Sequence, residues 1–168
     1  MKKTCIIYGS TTGTCERLAS KIADKLGITS DNVINVSDFK TEMLSEYDNL
    51  ILGTSTWGAG DLQDDWYGDG LKILMDSDLS GKTVAIFGCG DCASYSDTFC
   101  GGMAELYETV ISKGADVIGK VDADDYMYEA SAAVINGEFV GLALDEDNES
   151  DKTDARIDRW IKQIKDNL

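Results

Sequence analysis

Residues 5–26 combine three local signals that few architectures accommodate together. Cys5-Ile6-Ile7-Tyr8 is a short, continuous apolar run. Gly9-Ser10-Thr11-Thr12-Gly13-Thr14-Cys15-Glu16 follows, an octet of small and hydroxyl-bearing residues. Leu18, Ala19, Ile22, Ala23 and Leu26 then recur at helical spacing, and Gly27 supplies a stop. A buried strand feeding such a turn, with a helix opening directly from it, predicts a βα unit of a parallel sheet. The first amides of that helix lack internal acceptors, and its dipole favours negative charge there. The octet therefore reads as an anion site, suited to a phosphate.

The same alternation continues. Val33–Val36, Leu50–Gly53 and Val84–Gly88 read as buried strands. Helical patterns carry Phe39, Met43, Leu44 and Tyr47, then Leu71, Leu74 and Met75, then Met103, Tyr107, Val110 and Ile111. A last one carries Ile157, Trp160, Ile161, Ile164 and Leu168. The expected fold class is α/β, a three-layer doubly wound domain with a five-stranded parallel sheet spanning residues 1–168 as one unit. Ala115–Val121 and Phe139–Leu144 both read as strand, with polar Asp122–Gly137 between them. The economical reading is one edge strand split by an insertion of roughly 20 residues, longer than most connections.

Ligands of open α/β sheets sit beyond the carboxyl ends of the strands. Two further loops there are unusual. After the third strand comes Thr54-Ser55-Thr56-Trp57-Gly58-Ala59-Gly60-Asp61, and after the fourth Cys89-Gly90-Asp91-Cys92-Ala93-Ser94-Tyr95. Each sets one large aromatic ring among small residues, as a clamp for a planar ligand requires.

Composition narrows the function classes. The chain has 31 acidic and 15 basic residues, a formal net charge of −16, which disfavours nucleic acid and anionic membranes as partners. It has no histidine, which excludes His-based triads and His metal sites. No apolar run reaches membrane-span or secretory-signal length, and five cysteines, an odd count with no disulfide-framework spacing, fit a reducing cytoplasm. Cys89-Gly90-Asp91-Cys92 is a Cys-x-x-Cys on a loop beside an acid, the wrong setting for an activated dithiol, and it lacks the second pair that zinc needs. A phosphoacceptor receiver domain is excluded by Gly9-Ser10 and Gly53-Thr54, where acids would be required.

Taken together, these motifs resemble the flavodoxin family, and the resemblance covers essentially the whole chain. Ser10-Thr11-Thr12-Gly13-Thr14-Cys15-Glu16 matches the family's phosphate turn except at Thr14, commonly Asn or Lys, and Cys15, usually Thr. Thr56-Trp57 matches the loop covering one face of FMN, and Gly90-Asp91 with Tyr95 the loop covering the other. The split strand and residues 136–148 look like the long-chain branch. Ser55 stands where proline is common, which predicts a looser loop.

The resemblance implies strand order 2-1-3-4-5 and a low-potential carrier of single electrons on non-covalent FMN. It implies that Ser10, Thr11, Thr12, Gly13, Thr14, Cys15 and Thr56 hold the phosphate. Trp57 and Tyr95 would stack on the ring, with Cys89, Gly90, Asp91 and Phe99 near its pyrimidine edge. Ser55, Gly58 and Gly60 would shape the first aromatic loop, and Asp147 would lie near the ribose and phosphate. The peptide at Gly58 would flip on reduction, giving a stable one-electron-reduced form. Implied partners are proteins with basic docking faces, of the flavin-dependent NADPH reductase or 2-oxoacid oxidoreductase type, met by a monomer. The rival reading is an NAD(P)H-dependent FMN quinone reductase on the same fold.

Overall fold

A computed structural model describes all residues, Met1–Leu168. Its main sheet is built on β1 (Thr4–Gly9), β2 (Val33–Asn35) and β3 (Asn49–Trp57), with β4 (Asp61–Leu62) folding back antiparallel on β3. It continues through β5 (Thr83–Cys89) to an edge shared by β6 (Asp116–Ile118) and β10 (Leu142–Leu144). Parallel pairing runs β2-β1-β3-β5 and then the β6/β10 edge, the doubly wound order expected. The edge strand is indeed split: β6 pairs with Thr83–Ala85 and β10 with Phe87–Cys89, one after the other along β5.

Period-two alternation sends successive strand residues to opposite faces. Ile6, Tyr8, Ile51, Ala85 and Phe87 pack under α1 (Thr14–Leu26) and α4 (Ser150–Ile164). Cys5, Ile7, Leu50, Leu52, Val84 and Ile86 pack under α2 (Gly70–Met75) and α3 (Met103–Ser112). Both faces are covered, so the strands carry near-continuous apolar runs rather than alternating ones.

Two elements depart from the sequence reading. The helix expected around Met43 is a run of 3-10 turns, Thr41–Glu46, with Phe39, Leu44 and Tyr47 buried as its anchors. Lys40 and Tyr47, extended at its two ends, confine the run to six residues. Phe139, expected in the edge strand, instead lies in a small antiparallel sheet of β7 (Val121–Asp122), β8 (Val134–Ile135) and β9 (Glu138–Phe139). The insertion is thus an ordered element with its own pairing.

Register aligns the ends of the central strands. Gly9 of β1 lies opposite Thr54 of β3, and Thr54 opposite Gly88 of β5. Leu144 of β10 pairs with Cys89. The loops after β1, β3, β5 and β10 therefore leave the sheet at nearly one level and side by side.

Candidate functional site

The first loop presents backbone donors. The amides of Thr11, Thr12, Thr14 and Cys15 donate no hydrogen bond within the chain, whereas Gly13 N–H donates to Ser10 Oγ at 3.1 Å. Ser10 thus shapes the turn from inside. Cys15, in the first turn of α1, is fully buried, and burial, with Cys89 beside it, pushes its thiol well above the ordinary range. Arg17, the residue after the octet, pairs with Glu146 at 3.6 Å. An anion here would meet oriented amides and hydroxyls rather than a formal charge. Gln63, which no sequence motif singles out, donates from Nε2 to Thr11 Oγ1 at 3.2 Å and from its backbone N to Thr54 Oγ1 at 3.2 Å. It ties the loop after β1 to the end of β3.

The second loop is a tight reversal between β3 and β4. Trp57 pairs with Asp61, and Gly60 N–H closes the turn on the Trp57 carbonyl at 3.0 Å. Gly58 has φ +53°, and a Cβ there would come within 2.5 Å of Asp61 Oδ2. The Trp57 ring remains 41% exposed, yet its Nε1 donates to Ser55 Oγ at 2.8 Å. Ser55, where the family resemblance leads to an expectation of a looser loop, gives the indole a hydrogen-bond acceptor. Thr56 Oγ1 accepts from Gly102 N–H at 3.2 Å, which leaves the hydroxyl proton free to donate.

The third loop is held by carboxylates. Asp91 Oδ1 accepts from the amides of Ala93 and Ser94 and from Asn148 Nδ2. The Ser94 amide is the main reason its carboxyl sits below the usual range. Asp145 is buried and accepts from Cys92 N–H at 2.9 Å and from the amides of Asp147 and Asn148. Burial works against its charge, but the bonds from Cys92 and Asn148 prevail and hold it below the ordinary value. Asn148 bridges the two acids and so joins the loop after β10 to the loop after β5. Gly90 has no room for a side chain, since a Cβ would lie 2.8 Å from the Cys100 backbone nitrogen. Burial, then Asp145, pushes the Cys92 thiol up to about 11, the opposite of an activated dithiol.

These loops enclose one cavity of about 270 Å³. Of the residues expected at a site, Thr12 and Thr14 line it, with Ser55, Thr56, Trp57 and Gly58 from the second loop. Cys89, Gly90, Asp91, Tyr95 and Asp147 line it from the other side of the chain order. Tyr95 is 58% exposed. Ser10, Thr11, Gly13, Cys15 and Gly60 do not line it; the first three form the turn itself, Cys15 lies in the first turn of α1 and Gly60 closes the β3–β4 reversal. Phe99 does not reach the cavity either. It is buried among Tyr126, Tyr128 and Phe139, because its chain turns inward below Tyr95.

Thr98, Cys100 and Glu146 line the cavity without having been singled out by sequence. No Lys or Arg lines it, and its charged members are Asp91, Glu146 and Asp147. Asp147 is exposed at the cavity wall, where local desolvation, reinforced by Asp91, Asp145 and Glu146, raises its carboxyl above its ordinary value.

Comparison with known proteins matches this architecture throughout. The flavodoxin family model covers residues 6–160. The chain belongs to the flavodoxin family. It is 38% identical to flavodoxin 1 of Azotobacter vinelandii over 99% of this chain and 97% of that one. It is 41% identical to the flavodoxin of Helicobacter pylori, covering 98% of each. Among solved structures, Fusobacterium nucleatum flavodoxin bound to flavin mononucleotide superposes with a TM-score of 0.90 at 34% identity, covering 100% of this chain and 99% of that one. No helix is long and apolar enough to cross a membrane.

Proposed function

We propose that this chain is a low-potential electron carrier that moves single electrons between redox proteins on non-covalently bound FMN. One observation carries the reading: unpaired amides at a helix start and two exposed aromatic rings come from loops that leave adjacent strands around a single cavity. Those features fit FMN, whose phosphate needs donors without requiring a fixed cation and whose ring needs flat apolar cover. When bound, FMN supplies the one-electron chemistry.

The chain's own groups do the rest. The amides of Thr11, Thr12, Thr14 and Cys15, with the hydroxyls of Thr12 and Thr56, hold the phosphate. Trp57 and Tyr95 cover the ring and exclude water from it. The backbone of Gly90 and Asp91 meets the ring's polar edge. Asp91, Glu146 and Asp147 line the cavity and no cation does, Arg17 pairing with Glu146 from outside the lining, so added negative charge there is unfavourable and the potential falls. The relatives carry the flavodoxin name over the full chain and do not favour the quinone reductase alternative.

The finer reading is a long-chain flavodoxin, supported by the split edge strand and the ordered insertion. Five free cysteines accord with a reducing cytoplasm. A formal charge of −16 suits brief docking of a monomer on basic faces of reductases or 2-oxoacid oxidoreductases. Titrating apoprotein with FMN and with riboflavin tests the core of this reading. Stoichiometric quenching of flavin fluorescence, tighter for FMN than for riboflavin, is the expected result. Equal affinity for the two would remove the phosphate site, and no quenching by either would remove the function.

A further inference from the structure

The insertion does more than decorate the sheet edge. The amides of Glu129 and Ala130 both donate to the Ser96 carbonyl, at 2.8 and 3.0 Å, and Phe99 N–H donates to the Ala130 carbonyl at 3.3 Å. Ser96 follows Tyr95 directly. Beneath it, the Phe99 ring stacks on Tyr128 with centroids 5.9 Å apart and meets Tyr126 at 6.1 Å. Tyr126 is fixed in turn by donating its hydroxyl to the Ala143 carbonyl at 2.7 Å.

Arg156 of α4 stands behind this stack. It is 4% exposed, and its guanidinium lies 4.0 Å from the Tyr126 ring centroid. Its Nη2 donates to the Asp125 carbonyl at 3.2 Å, inside the insertion. The same group pairs with Glu149 at 3.4 Å, and Glu149 N–H donates to the Asp145 carbonyl. The Asp145 carboxylate then holds Cys92 N–H. Arg156 therefore connects to the Tyr95 loop from both ends: through Tyr126 and Phe99 after Tyr95, and through Glu149 and Asp145 before it. A planar, permanently charged, multi-donor group suits such a junction, and lysine does not replace it.

We propose that Arg156 and the insertion 122–137 brace the Tyr95 loop, which makes Arg156 a positioning residue for flavin-ring binding although it does not line the cavity. The inference rests on the FMN reading above. Holding Tyr95 in place before binding removes an ordering cost from the bound state. The amides at the start of α1 belong to a different loop and do not depend on the brace.

The test compares FMN, riboflavin and inorganic phosphate as ligands of wild type, Arg156→Lys and the same change in a Tyr95→Ala background. Arg156→Lys weakens FMN and riboflavin by one common factor, roughly threefold to tenfold, and leaves inorganic phosphate binding unchanged. In the Tyr95→Ala background that factor falls to near one. If Arg156→Lys does not give native near-ultraviolet circular dichroism, Tyr128→Ala, a half-buried ring on the same stack, carries the same expectations.

Unchanged ring affinity in a folded variant overturns the proposal. So does an equal loss for phosphate, or an effect undiminished without Tyr95. Slower reduction by a partner at unchanged flavin affinity would make the insertion a docking element instead. A wild-type chain that binds neither flavin would remove the function itself, whereas normal wild-type binding with unaffected variants would remove only the brace.

Discussion

Trp57 Nε1 donates to Ser55 Oγ at 2.8 Å, so the ring that covers the cavity is steered by a residue two positions before it. Both residues line the same cavity. A hydrogen bond of this kind contributes about 0.5–1.5 kcal/mol net, and partial exposure of the indole favours the lower end. Ser55→Ala is expected to weaken FMN binding about twofold to fivefold and to lower the fluorescence anisotropy of Trp57 in apoprotein. Unaltered affinity and anisotropy would mean that the bond does not orient the ring.

Gly58 occupies the left-handed region at φ +53°, directly after Trp57. Valine there is strained by its backbone conformation and crowds Asp61 Oδ2. Gly58→Val is expected to restrict reorientation of that peptide on reduction. Absorbance spectra through an anaerobic titration should show less one-electron-reduced flavin at half reduction than wild type. An equal amount would disconnect Gly58 from the spacing of the two electron steps.

Asp145 and Asp147 should respond to pH in opposite senses. Hydrogen bonds to Asp145 outweigh its burial and depress its folded-state pKa, so its stabilisation is present above the unfolded carboxylate value of about 3.9 and is lost as pH falls through the folded value. Local desolvation and neighbouring acids raise the Asp147 pKa, so the folded state favours its proton, and that contribution fades as pH rises through the folded value. Asp145→Asn should lose roughly 1.5–3 kcal/mol of apoprotein stability at pH 7 in urea unfolding. Asp147→Asn should gain stability at pH 7 and gain nothing at pH 3. A gain for Asp145→Asn, or a loss for Asp147→Asn, would reverse the assigned electrostatics.

A formal charge of −16 is expected to make partner encounter an electrostatic event. Electron transfer from a flavin-dependent NADPH reductase with a basic docking face should slow steeply as ionic strength rises from about 0.01 to 0.15 M, where the screening length shortens from about 30 to 8 Å. A second-order rate constant flat across that range would contradict charge-guided docking.

The strands and the first loop were legible because their signals are local. Buried parallel strands write continuous apolar runs, and the Gly9–Glu16 turn sits between a strand and a helix that announce themselves. The parts that were not legible depend on distant partners. Gln63 matters because folding brings it against Thr11 and Thr54, and Asp145 because β10 ends beside the Cys92 loop. Phe99 was expected at the cofactor's edge, yet the insertion's rings draw it into the core. One local signal within the insertion does mark its structure. Asn136-Gly137 joins β8 to β9 with φ of +53° and +81°, the backbone that an Asn-Gly hairpin turn prefers.

Three loops leaving β1, β3 and β5 are expected to hold one phosphorylated flavin jointly and to set its two electron steps apart. Anaerobic spectroelectrochemical titration of the FMN-reconstituted chain addresses it most directly. Two separated one-electron waves, the second at the lower potential, are the predicted result. A single two-electron wave at the potential of free FMN, or no flavin retained after reconstitution, would contradict it.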